Sequence, residues 1–155
     1  MLPADDTVMD MLTAKHPPPA AVPPDTLFRG PVESVLPSYF DSITEETIKK
    51  AAKLTKGAGG LSQLDAKQFH SILVSGKFKK EGKDLHEQVA RLAKKLATSY
   101  VDPATLESYV ACRLLPLNKN PGVRPIGIGE ILRRIIGKAV GWCLRQDIQE
   151  VAGPL

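Results

Sequence analysis

From Cys112 to Val140 the chain reads CRLLPLNKNPGVRPIGIGEILRRIIGKAV, and no other stretch limits the fold so tightly. Cys112, Leu114 and Pro116 alternate with Arg113, Leu115 and Leu117 as in a strand, Asn120-Pro121-Gly122 interrupts the run, and a second strand opens at Arg124. Proline fixes one torsion of such a turn and glycine accepts a positive φ, so an antiparallel hairpin is the expected product. Its tip carries two cations, Lys119 and Arg124. A mobile ammonium supplies a point charge and a planar guanidinium makes paired hydrogen bonds, so the two together suit phosphate. Polyphosphate or a nucleic-acid backbone is the ligand expected there.

The helix that follows is two-faced. Helical spacing from Ile131 gathers Ile131, Leu132, Ile135, Ile136, Ala139, Trp142 and Cys143 on one side, and Arg134, Lys138 and Arg145 together on another. Three bases on one edge can track a phosphate strand, each contact adding a salt-sensitive increment to affinity. Bases late in a helix also complement its dipole, which is the structural alternative.

Upstream, residues 5 to 15 read as a short helix, and His16 to Asp25, HPPPAAVPPD, as a stiff extended linker with several fixed φ angles. Phe28 to Phe40 shows no period and reads as loop. A helix starts at Thr44, with Glu45 and Glu46 in its first turn and Ile43 and Ile48 spaced as a hydrophobic staple, and runs toward Gly57. A second starts near Asp65, places Phe69, Ile72 and Leu73 on one face, and stops at Gly76. KFKKEGK then reads as a basic loop in which Lys77, Lys79, Lys80 and Lys83 lie around Phe78, a composition that suits single-stranded nucleic acid. A third helix is expected from a capping box at Asp84 and Glu87, with Leu85, Val89, Leu92 and Leu96 as its buried stripe. His70 and His86 read as surface or half-buried imidazoles. A short helix around Ala104 to Tyr109 leads into the hairpin.

Charge divides the chain. Residues 1–48 hold 8 acids and 2 bases, and residues 49–155 hold 9 acids and 19 bases, so a net of +4 conceals an acidic start and a basic body. A basic body attracts polyanions. With 13 prolines and 12 glycines, the plan expected is residues 1–40 as an acidic, Pro-rich extended tail and residues 41–155 as a helical region with a hairpin and a basic helix. Cys112 and Cys143 stand far apart with no ligand-spaced neighbour, which argues against zinc and for a reducing compartment. No apolar run is long enough for a membrane span, and early aspartates argue against a secretory or transit signal, so an intracellular place, cytoplasmic or nuclear, and no membrane partner are expected. Gly127-Ile128-Gly129 lacks the third glycine of a dinucleotide fingerprint, since Leu132 stands there, and neither a P-loop nor a nucleophile elbow occurs.

The L-P-L-N-K strand, the Asn-Pro-Gly turn, the R-P-I-G-I strand and the I-L-R-R-I-I helix together resemble the fingers hairpin of a reverse transcriptase of the non-LTR retrotransposon or group II intron type. A second match, GAGGLSQLDAKQFHSIL from Gly57 to Leu73, is similar to the Gly-rich segment and helix that precede the fingers in non-LTR enzymes. The resemblance covers residues 57–150. It implies that Lys119 and Arg124 contact the triphosphate of an incoming nucleotide, and that RNA or DNA and nucleoside triphosphate are the partners. It also implies that polymerisation needs palm aspartates holding two magnesium ions. Those motifs lie beyond the helix in the family, so within this sequence no catalytic residue, metal ligand or cofactor is expected.

The fold expected is thus α+β, mainly helical with one antiparallel hairpin, an incomplete fingers subdomain. The function expected is a part of an RNA-directed DNA polymerase that binds nucleotide through Lys119 and Arg124, and template or primer through Arg134, Lys138, Arg145, Lys79 and Lys80. The competing reading is a small helical protein-interaction module whose bases are incidental. Without a palm to pack on, Ile131, Ile135 and Trp142 are expected to be partly bare and to promote self-association.

Overall fold

The computed structural model describes residues 5–16 and 36–153. In chain order they form α1 (Asp6–Lys15), a 3-10 turn at Pro37–Phe40, α2 (Glu45–Leu54), α3 (Ala66–Leu73), a 3-10 turn at Gly76–Phe78 and α4 (Lys79–Thr98). A further 3-10 turn at Pro103–Leu106 leads to α5 (Glu107–Val110), strands β1 (Cys112–Asn118) and β2 (Val123–Gly129), α6 (Ile131–Cys143) and α7 (Arg145–Ala152). The described residues are therefore mainly helical with one two-stranded antiparallel sheet, an α+β composition. The Pro-rich stretch after His16 and residues 28–35 lie outside the described residues.

Short polar side chains set the helix starts. Asp5 accepts from the Val8 amide at 2.9 Å, Thr44 from Thr47, and Asp65 from Gln68, whose own side chain accepts from the Asp65 amide in a complete capping box. α2 and α3 begin where the sequence places them and end sooner than expected, at Leu54 and Leu73.

The chain divides into two units, the first made of residues 1–34 and 114–128, the second of residues 35–113 and 129–155. In the first, Val8 and Leu12 of α1 and Val123 of β2 form a small buried cluster. The hairpin there has a definite register. The Lys119 amide donates to the Gly122 carbonyl at 2.9 Å, and equal seven-residue strands then set Leu117 opposite Arg124 and Pro116 opposite Pro125. Gly122 has a φ of 96°, a torsion that a side chain would disfavour, and the Asn120-Pro121 bond is cis. Because Lys119 and Gly122 form a hydrogen-bonded pair, the proline pair falls where backbone groups point away from the partner strand. The ladder loses no bond to either proline.

In the second unit α2, α3, α4 and α6 enclose one core, with Ile43, Ile48, Ile131 and Ile135 the largest side chains fully out of water. Ala51, Ala52, Ala93 and Ala139 lie among them and let the helices approach closely. Each buried isoleucine stabilises the fold by about 1.5–3 kcal/mol relative to exposure. Ile131 and Ile135 are both 0 % exposed, contrary to the expectation of a bare face, because α2 and α4 cover the stripe that a palm was expected to cover. Trp142 is half-buried.

Three further expectations fail within this unit. KFKKEGK is not a loop: Lys79, Lys80, Glu81 and Lys83 are good helix formers, and α4 starts at Lys79, carrying Lys83 to within 3.8 Å of Glu45. Its buried stripe is His86, Val89, Ala90 and Ala93, while Leu85 and Leu92 are exposed. His86 is only 7 % exposed, and its Nε2–H donates to the Leu73 carbonyl, one of the acceptors that the end of α3 leaves without a helical partner.

Candidate nucleic-acid interface

The cations named from the sequence fall on separate elements. In the hairpin, the register puts Lys119 and Arg124 on the same face, which they share with Leu115, Leu117, Ile126 and Ile128. Lys119, Arg124, Leu117 and Ile126 are exposed, and among the described residues neither cation pairs with a carboxylate. The other face carries Val123 against α1. A ribbon packed on one side therefore offers two free cations on the other.

In the second unit the bases of the last helix do not form one row. α6 stops at Cys143, the Leu144 amide is shared between the Val140 and Trp142 carbonyls, and Arg145 begins α7. Lys138 and Arg145 are exposed, as is Lys80 in the first turn of α4; the side chain of Lys79 lies outside the described residues. Arg134 is used internally. Its guanidinium donates to the Lys56 carbonyl at 3.0 Å and to the Ala58 carbonyl, and its Nε is buried without a partner. Arg133 likewise donates to the Val110 carbonyl at 2.6 Å.

Arg134 is one half of a clamp on the loop between α2 and α3. Glu130, just before α6, accepts from the Ser62 amide at 2.8 Å and the Ser62 hydroxyl at 2.7 Å. The backbone hydrogen bond from Ser62, then its hydroxyl, hold the Glu130 carboxyl below its ordinary value; the Leu61 amide and the nearby Arg134 charge act in the same direction, against a small effect of burial. Gly60 is where the two segments meet most closely: a Cβ there would stand 2.7 Å from Glu130 Oε1 and 2.9 Å from its backbone nitrogen.

That loop walls a cleft of ≈ 790 Å³ between α2 and α3, which the sequence reading missed. Lys53, Lys56, Lys67, His70 and Arg113 line it against a single acid, Asp65, whose carboxylate is already engaged as the α3 cap. Arg113 contributes a buried Nε with no partner. The signal was present in the bases on either side of a Gly-rich loop, Lys53 and Lys56 before it and Lys67 and His70, one helical turn apart, after it. An opening with several cations and one committed acid attracts polyanions. Among the described residues no three carboxylate, imidazole or thiol groups converge. No described helix is long and apolar enough to cross a membrane.

Comparison with known proteins returns no match to a family model, a curated protein or a solved structure.

Proposed function

We propose that this chain is the nucleic-acid- and nucleotide-binding part of a reverse-transcriptase-like polymerase, the fingers hairpin meeting a triphosphate and the basic cleft of the helical unit meeting a template or primer strand. The observation that carries the reading is the shared face of Lys119 and Arg124 on a regular hairpin, both solvent-exposed and free of carboxylate partners among the described residues. A triphosphate needs an arrangement of this kind, a movable charge beside a planar fork. The cleft adds a second, larger concentration of positive charge. A single strand bound there releases counterions, so its affinity falls with salt by a log–log slope of about 0.7 per phosphate contacted.

The test is fluorescence anisotropy with a labelled nucleoside triphosphate and a labelled single-stranded oligonucleotide across a salt series. The expected result is salt-dependent binding of both, with Lys119→Ala/Arg124→Ala weakening the triphosphate and Lys53→Ala/Lys67→Ala weakening the strand. Affinities that ignore both salt and these substitutions would overturn the reading and favour the helical protein-interaction module instead.

A further inference from the structure

Trp142 is the only tryptophan in the chain, and it is not fully spent in the core. It lies in the last turn of α6, half-buried, with the Lys50 ammonium 5.1 Å from its ring centroid. A cavity of ≈ 440 Å³ opens beside it, lined by Glu46, Thr47 and Lys50 of α2, by Ser42 and Cys143, and by Arg145 at the start of α7. Ser42 and Cys143 satisfy each other at 3.0 Å, and the Thr47 hydroxyl donates to the Ser42 carbonyl at 2.7 Å, so the charged and aromatic groups left along the wall are the indole, Lys50, Arg145 and Glu46. An apolar ring flanked by cations combines what a single strand needs, a stacking surface for a base and charge for the phosphates on either side. Lys50 is exposed and its contact with the ring is weak in water, so an incoming base displaces the ammonium toward a phosphate at little cost.

Resting on the nucleic-acid reading above, we propose that Trp142, Lys50 and Arg145 form a docking point for one unstacked nucleobase of a single strand, with the Glu46 carboxylate favouring a base that bears an exocyclic amine. Glu46 is suited to that role as a carboxylate acceptor on the cavity wall, and the helix-start amide and then the Thr44 hydroxyl hold its carboxyl below the ordinary range. The site is separate from the basic cleft in its residues, sharing none of them.

The single indole makes the test direct. A deoxyadenosine oligonucleotide is titrated into the full chain with anisotropy of the labelled strand and Trp142 emission read together, and an abasic strand of equal length serves as the comparison. The expected result is quenching that saturates in step with anisotropy for the adenine strand and is absent for the abasic one. Trp142→Leu should weaken the adenine strand by about 5- to 150-fold, the range for loss of one stacked base, and Lys50→Ala should weaken it less. Binding by anisotropy with unchanged emission, or equal quenching by the abasic strand, would overturn the docking point while leaving the proposed function standing. If neither strand binds, the proposed function falls and the docking point falls with it. The emission titration uses the unmodified protein, so the outcome does not depend on the folding of any variant.

Discussion

Arg124 of the hairpin unit and Arg133 and Arg134 of the helical unit are used in opposite ways. Arg124 stands exposed on a ribbon that joins α1 in a small buried cluster of Val8, Leu12 and Val123. Arg133 and Arg134 are turned inward on the helical unit's own carbonyls, beside a core of fourteen buried residues among those described. The same side-chain type faces solvent in one place and is a structural brace in the other, where unpaired backbone acceptors lie within reach. α5 and the loop after α2 supply such acceptors to Arg133 and Arg134.

The contrast can be broken at the core first. Ile135→Ala should lower the unfolding free energy by about 2–5 kcal/mol in a denaturant titration, whereas Val123→Ala in the smaller cluster should cost clearly less. Equal losses would mean that the two units do not differ in how they are held. Next comes Arg134→Ala, which strands the Lys56 and Ala58 carbonyls and should cost about 1.5–3 kcal/mol, the range for hydrogen bonds to a charged group. Arg124→Ala should stay within about 0.5 kcal/mol, as for an exposed side chain away from structural features. A large stability loss at Arg124 would remove it from the list of free cations.

Gly60→Ala tests the clamp itself. A methyl group placed against Glu130 should cost about 1–3 kcal/mol as overpacking, and Glu130→Ala in the same chain should relieve part of that loss. The smallest effect is in acid. Since the folded-state pKa of Glu130 is depressed, its contribution is complete above the ordinary carboxyl value of 4.5 and is lost as pH falls through the folded value. Glu130→Gln should therefore flatten the acid limb of a urea-midpoint profile; an unchanged limb would show that the Ser62 contacts do not persist in solution.

Much of this architecture was legible in the chain. Caps at Thr44 and Asp65, the staple of Ile43 and Ile48, and the Pro-Gly turn are local signals, and local signals survive folding when nothing larger opposes them. The start of α4 was misread because Asp84 and Glu87 imitate a capping box inside a helix whose true beginning has no side-chain cap at all. His86 looked like a surface residue since sequence does not show that the end of α3 needs a donor. Arg134 aligned with Lys138 on a helical wheel, but a wheel knows nothing of the loop that it binds. The cleft escaped notice because it joins bases from two helices and a strand residue, and only packing brings those together.

The facing prolines of the hairpin have a last consequence. Pro116 and Pro125 sit where an ordinary residue would aim its amide outward, so each long side of the ribbon lacks a donor at that position. An incoming chain seeking to extend the sheet meets a gap in the pattern it must match. Lateral growth is thus discouraged at the backbone, independently of charge, while the open face and the tip are untouched by that restriction.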